Sequence, residues 1–343
     1  MNTIKLAEKR WVPDSLIRAG IRQLLRKRLA DEGADDPHWR DIRYRNLLKE
    51  LRTSPIAIET DSANRQHYEV PAEFFQYVLG EHLKYSACYW DTDTEHLGQA
   101  EQNMLQLYAQ NAQIEDGQDI LELGCGWGSL TLWLAGRYPA SNITAVSNSA
   151  GQRAHIERVA GQRGLGNVNV ITCDVNELYL DQRFDRIVSV EMFEHVRNYD
   201  TLFGRISNWL KQEGKLFVHI FCHRELAYPF ETDGQDNWMG RHFFTGGLMP
   251  ARDTLVHFKG DLSLERQWDY SGEHYRRTAE AWLANLDEYR GPVLELFNRV
   301  YGPSDAGLWV QRWRMFFMAC AELFGYDDGE QWMVAHYRFR KSA

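Results

Sequence analysis

At 343 residues the chain is long enough for one large core or a core with an elaborated cap, and 44% hydrophobic with 25% charged residues is ordinary for a globular protein. A net charge of −9 argues against nucleic acid as a partner. Five cysteines, scattered and without a CxxC pair, argue for reduced thiols in a cytoplasmic protein and against a disulfide framework or a metal site, and no stretch approaches the roughly 18–20 apolar residues of a membrane span.

The charge is uneven: residues 1–60 hold 13 Lys+Arg against 9 Asp+Glu, which leaves −13 for the remainder. The N-terminus lacks the apolar run of a signal peptide. Residues 14–30 read as a helix with Ile17, Ile21, Leu24 and Leu25 on one face and Arg18, Arg22, Arg26, Lys27 and Arg28 opposite. Such a basic amphipathic helix either docks on an anionic membrane surface or packs over the main domain with its charges in water. A second helix is expected over 36–52 and a polar loop near 53–65. We therefore assign 1–65 to a helical N-terminal arm and 66–343 to the main domain.

From about residue 97 strands and helices alternate. A helix over 97–113 leads to the strand 119–125 and a helix from Ser129. The strand 142–148 precedes a helix from about 150. Strands follow at 167–174, 184–191 and 215–223, with a helix over 201–210 and, near the end, a helix over 305–324 and a strand over 331–339. This alternation predicts an α/β, doubly wound, mostly parallel sheet of Rossmann-like type. Residues 224–300 break the rhythm and are rich in aromatics, among them Trp238, Phe244, Trp268, Tyr275 and Trp282. They are expected to form a lid over the carboxyl ends of the strands, where open α/β sheets bind ligands.

Three features carry chemistry. The turn Gly124-Cys125-Gly126-Trp127-Gly128 ends a strand and opens a helix, so backbone can approach a ligand closely at Gly124 and Gly126. Its GxGxG spacing, with Glu122 just before it, fits the amino-acid part of S-adenosylmethionine better than a pyrophosphate. The next strand ends without the usual ribose-binding acid, leaving Asn148 and Gln152 as neutral donors and acceptors, while Asp174 ends the following strand, where a carboxylate can accept an adenine amino group. The third is Glu191-Met-Phe-Glu194-His195, two carboxylates and an imidazole that one helical turn would bring to one side. Such a cluster suits binding a cationic amine and taking its proton.

Seven blocks carry a resemblance: HYEVPAEFF (67–75), LKYSACYW (83–90), LELGCGWGSL (121–130), SVEMFEHVRNY (189–199), LFVHIFCH (216–223), RHFFTGGLMP (241–250) and AELFGYDDGEQWMVAH (321–336). On these the chain resembles the cyclopropane-fatty-acyl-phospholipid synthase family of methyltransferases, and most of all its coclaurine N-methyltransferase-like branch. The resemblance implies a seven-stranded methyltransferase sheet with cofactor contacts at Tyr85, Ser86, Gly124, Asn148, Gln152 and Asp174. The lipid enzymes of the family are expected to hold a bicarbonate ion as base through residues matching Cys125, Glu194, His219 and Tyr275, all present here. The first position of EMFEH is typically Gly in those enzymes and Glu in the N-methylating branch, so Glu191 favours an amine.

The function expected is methyl transfer from S-adenosylmethionine, with S-adenosylhomocysteine as product, to the nitrogen of a small aromatic or alkaloid-like amine. Glu194 and His195 form the base pair, Glu191 holds the cationic substrate, and Trp238, Phe244 and Trp332 are candidate stacking partners. The competing readings are modification of an unsaturated lipid acyl chain, with bicarbonate as base and helix 14–30 on a membrane, and a non-catalytic cofactor-binding module. A homodimer is a further candidate assembly.

Overall fold

The computed structural model describes residues 3–58, 70–234, 237–258 and 260–342. The loop expected near 53–65 lies largely outside them, as do the boundary drawn at 65/66 and the first three residues of the 67–75 block.

Seven strands form one sheet: β1 (Asp119–Leu123), β2 (Asn142–Ser147), β3 (Val168–Thr172), β4 (Phe184–Val190), β5 (Leu210–His223), β8 (Leu262–Tyr270) and β9 (Trp332–Lys341), with a two-stranded ribbon of β6 (Tyr228–Pro229) and β7 (Leu248–Met249) beside them. The sheet order is β3-β2-β1-β4-β5-β9-β8. β1 to β5 run parallel, and β9 is antiparallel to β5 and β8. Parallel strands are covered on both faces, and accordingly every residue of β1 after Asp119 and of β2 after Asn142 is buried, Glu122 among them. The sequence-predicted doubly wound sheet is thus present with seven strands. Its seventh, β8, lies inside the 224–300 stretch expected to be lid. As an edge strand paired on one side only, its LSLERQWDY carries exposed Glu265 and Arg266 and lacks the buried apolar signature of its neighbours.

The strand order reverses direction around β1 and β4, which are neighbours with Leu123 opposite Ser189. The crevice of an open α/β sheet opens at that point, beyond the carboxyl ends. The glycine turn follows β1 and the EMFEH segment follows β4, so topology alone sets the two motifs side by side.

Over the crevice sit three long helices, α10 (Glu273–Glu288), α11 (Arg290–Tyr301) and α12 (Ala306–Phe324). They share one apolar cluster with α4 (Ala72–Val78) and with part of the N-terminal helices α1 (Thr3–Glu8) and α2 (Asp14–Asp31). On α2, Ile17 is buried and Ile21 and Leu25 pack against this cluster, whereas Leu24 is exposed. The basic face does not simply point into water. Arg18 forms a two-pronged ion pair with Glu280 at 2.7 Å and reaches Glu322 at 3.0 Å, Arg22 pairs with Glu322 at 2.6 Å, and Arg28 bonds Glu32 and Asn237. Three of the five cations counted toward a membrane-facing surface therefore clamp α2 to the cap or to its own loop. No helix among the described residues is long and apolar enough to cross a membrane.

Candidate functional site

Two cavities open at the carboxyl ends of β1 and β4. Both are bordered by Gly124, Gly126, Gln152, Glu191 and His195. A single ligand can run from one to the other across the glycine turn.

The turn is built for that passage. Gly124 has φ +80°, and a Cβ there would stand 2.6 Å from the Met192 side chain. Both the backbone conformation and the close packing of the two motifs thus require glycine. Gly126 also has positive φ, and a Cβ on it would meet only open space, on the side where a ligand would lie. Beyond β2, Ser149 caps the helix α7 (Ala150–Arg163) by accepting from the Gln152 N–H. Ser147 Oγ donates to Gln152 Oε1 at 2.6 Å, which leaves the buried Nε2 of Gln152, a residue bordering both cavities, without a hydrogen-bond partner. Ser129 Oγ and Trp127 Nε1 are likewise buried and unpartnered at the wall of the larger cavity. Buried polar atoms are nearly always bonded, so these orphans mark where a polar ligand supplies the missing partners.

Asn148 and Asp174 border the second cavity, and Tyr85 and Ser86 the first. Asp174 Oδ1 is held by the Asn176 backbone and side-chain N–H groups at 2.7 and 2.8 Å. Asn176 in turn exchanges hydrogen bonds with both backbone groups of Ala57, a contact that draws the N-terminal segment into the cavity wall. The sites expected for the amino-acid, ribose and adenine portions of S-adenosylmethionine are therefore contiguous, and the donor set fits that group.

The EMFEH segment is not the single α-turn expected. Glu191 adopts φ +45°, a conformation rare and costly for a side-chain-bearing residue, and a short 3₁₀ turn spans Phe193–His195. The result still gathers the three groups, by a different geometry. Glu191 Oε1 accepts from the Ala87 N–H at 2.9 Å and lies 3.0 Å from His219 Nε2, while Oε2 accepts from the Tyr275 hydroxyl at 2.7 Å. Burial raises the Glu191 pKa, opposed by Lys84, by these donors and by His195. Glu194 is buried with Oε2 unpartnered, and burial together with the Glu191 charge pushes its carboxyl well above the usual range. Burial pushes His195 down to about 4, so its imidazole is neutral at pH 7. The ring stacks on Phe244 with centroids 5.3 Å apart and planes 12° from parallel. Arg197, two residues on, donates to the Gly246 and Gly247 carbonyls and ties this turn to the cap loop.

Of the four residues expected to hold bicarbonate, Tyr275 and His219 already contact the chain's own Glu191 carboxylate. Cys125 borders the larger cavity, but its side chain belongs to an apolar cluster with Leu132, Ala145 and Ile156, and burial raises its thiol well above the ordinary range. Of the three candidate stacking aromatics only Phe244 reaches the cavity. Trp238 instead bonds Glu8 through Nε1, and Trp332 is fully buried on β9 and donates to the Tyr228 hydroxyl. Tyr108, Trp282 and Phe316, not assigned from sequence, line the cavity with Tyr85. Also unassigned was Lys84, buried with its ammonium donating at 2.5 Å to Ser86 Oγ and the Ala87 carbonyl. A cation between apolar neighbours in LKYSACYW was its only trace.

Residues 57–332 match the family model for mycolic acid cyclopropane synthetase. Among relatives, (S)-coclaurine N-methyltransferase of Thalictrum flavum subsp. glaucum is 38% identical, covering 98% of this chain and 95% of its own length. Cyclopropane-fatty-acyl-phospholipid synthase of Escherichia coli (strain K12) is 29% identical, covering 80% of this chain and 67% of its own. The crystal structure of coclaurine N-methyltransferase bound to N-methylheliamine and SAH superposes with a TM-score of 0.95 at 36% identity, covering 99% of each chain. With the glycine turn, the orphaned donors around it and these likenesses together, the chain belongs to the mycolic acid cyclopropane synthetase family and is an S-adenosylmethionine-dependent methyltransferase.

Proposed function

We propose that the protein N-methylates a small aromatic amine, with Glu194 and His195 accepting the proton and Glu191 as the fixed anion of the site. The observation that carries this reading is the Glu191 carboxylate itself. It occupies the Tyr275 hydroxyl and sits beside His219, two partners an external carboxylate-like base would need. A lipid enzyme of the family is expected to recruit such an anion from solution, and here the chain supplies one. Relatives named coclaurine N-methyltransferase at 36–38% identity support the same choice.

When bound, the cofactor supplies an electrophilic methyl group. The chain's residues must deliver a neutral nitrogen to it, since an ammonium has no free lone pair. An alkylamine with a pKa near 10.4 is mostly protonated at pH 7. Glu191 and the ionised form of Glu194 attract that cation into the cavity. Glu194 or neutral His195 then takes its proton, a contribution of about 10²–10⁴ in rate. Tyr85, Trp282, Phe244 and Phe316 offer faces on which an aromatic substrate can stack, and orientation contributes roughly 7–11 kcal/mol more. Five free cysteines fit a reducing compartment such as the cytoplasm.

Radiolabelled methyl transfer decides the substrate class. A panel of benzylisoquinoline and simple aryl-alkyl amines is offered beside unsaturated phospholipid vesicles. Label is expected in the amines; label confined to lipid overturns the assignment.

A further inference from the structure

Behind Glu191 a chain of side-chain contacts runs along one face of the sheet, from β5 to β9. His219 Nδ1 lies 2.9 Å from His336 Nε2, and His336 Nδ1 lies 3.0 Å from Asn111 Nδ2, which also contacts the Tyr270 hydroxyl at 2.9 Å. His219 and His336 face each other in register on β5 and β9, and Asn111 closes the helix α5 (Leu97–Ala112) against them. Both imidazoles are fully buried. Burial holds both well below the ordinary histidine range, so each is neutral and has one donor and one acceptor.

We propose that His336 and Asn111 are positioning residues that fix His219 in the Nε2–H tautomer, so that it donates a hydrogen bond to Glu191. Two neutral imidazoles in series allow only two polarities, and both ends select the same one. At the inner end Glu191 already accepts from the Ala87 N–H and the Tyr275 hydroxyl, so its environment is that of an acceptor. His219 Nε2 must then carry the proton and Nδ1 must accept. His336 Nε2–H fills that acceptor, leaving its own Nδ1 to accept. At the outer end the Asn111 amide N–H donates to that atom. Other ionisable groups around the pair are Lys84, engaged by Ser86 and Ala87, the Tyr108 ring 5.2 Å from His219, Tyr270, and Arg338, which donates to the Asn111 carbonyl. None of them supplies a competing side-chain partner for either imidazole among the described contacts. The device turns a donor toward Glu191 without adding a charge of its own.

This inference rests on Glu191 being the functional anion, and its test separates the two. Nitrogen-15 NMR of the histidines in the full-length protein reads the tautomers without any substrate. His219 and His336 should both show protonated Nε2 and bare Nδ1; an Nδ1–H form at His219 overturns the proposal even if amines are methylated. Kinetics supply the second arm. His336→Leu should lower kcat roughly tenfold or more, the loss expected of one charge-assisted hydrogen bond, and move the acid limb of the pH–rate profile upward, with S-adenosylhomocysteine affinity unchanged. His336→Gln, which can still present a donor to His219, should recover most of both. A His336→Leu protein that binds the product normally and keeps the wild-type profile overturns the proposal, as does a folded His336→Gln no better than Leu. Should the leucine variant not fold, Asn111→Leu tests the same polarity from the outer end.

Discussion

The Tyr275 hydroxyl donates to the Glu191 carboxylate across 2.7 Å, joining the cap helix α10 to the end of strand β4 at the reaction centre. The bond makes Glu191 a fixed part of the site and ties the cap helix to that anion. Replacing Glu191 by Gly should lower kcat for amine methylation by about 10² or more, in the range for removing one preorganised electrostatic group. Added bicarbonate should restore part of the lost rate in Glu191→Gly and leave the wild type unchanged. A wild-type rate that rises with bicarbonate, measured in carbon-dioxide-free buffer, would show that the ion is used after all.

Tyr275→Phe removes one donor and retains the ring, which stacks on Phe324 with centroids 4.2 Å apart. The fold should survive, and kcat/KM should drop by roughly 10-fold or more, as for loss of a hydrogen bond to a charged group. Steady-state kinetics beside a thermal melt check both halves.

The pH dependence follows from the direction of two shifts. Protonated Glu194 cannot accept a proton, and burial beside Glu191 raises its pKa, so kcat should rise with pH as Glu194 ionises. His195, pushed down to about 4, is already neutral above pH 5 and cannot produce that limb. Glu194→Gln should therefore remove its share of the acid limb and leave only the part that Glu191 sets, whereas His195→Gln should lower the rate without moving the limb. A limb unchanged in Glu194→Gln would assign it elsewhere.

Gly124→Ala places a methyl group on a residue at φ +80° and 2.6 Å from Met192. The strained backbone alone costs about 1–3 kcal/mol. Stability should fall, and calorimetry should find S-adenosylhomocysteine binding weakened. Gln152→Ala, which removes the orphaned amide at the same turn, should weaken the product's binding with little change in melting temperature.

Stability of the free protein should decline from mildly acidic to mildly alkaline pH. Burial raises Glu122 to about 8 and Glu101 to about 7, even though Glu101 accepts from the Gly80, His82 and Lys84 N–H groups. An acid whose folded pKa is raised holds its proton more tightly in the native state. Its contribution is complete below the unfolded carboxylate pKa and is lost as pH rises through the folded value, here between about pH 4.5 and 8. Glu122→Gln should make the melting temperature less pH-dependent across that window; an unaltered slope would remove Glu122 from the account.

Local rules made much of this protein legible. Alternating apolar runs and helix starts located six of the seven strands, because strands buried on both faces are mostly apolar. The glycine turn was readable because a ligand-approaching backbone leaves no room for Cβ, and Glu191, Glu194 and His195 because three ionisable groups at a strand end are costly without a function. Strand β8 escaped because an edge strand facing solvent has no obligatory pattern. The arm's arginines fitted a membrane surface or, as the favoured reading, a solvated face of an arm packed on the main domain; Glu280 and Glu322, more than 250 residues away in sequence, are what lies opposite Arg18. Trp238 in the cap stretch and Trp332 at the start of the last strand carry no sequence mark of what they touch, and only packing assigns them to Glu8 and Tyr228 instead of the cavity. The line from Glu191 through His219 to His336 and Asn111 depends most on the fold. It requires antiparallel pairing of β5 with β9 in one register, and a shift of one residue would turn His336 to the opposite face of the sheet. Residue identity determined which chemistry was available, and long-range pairing decided which groups meet, because donors and acceptors act only across about 3 Å.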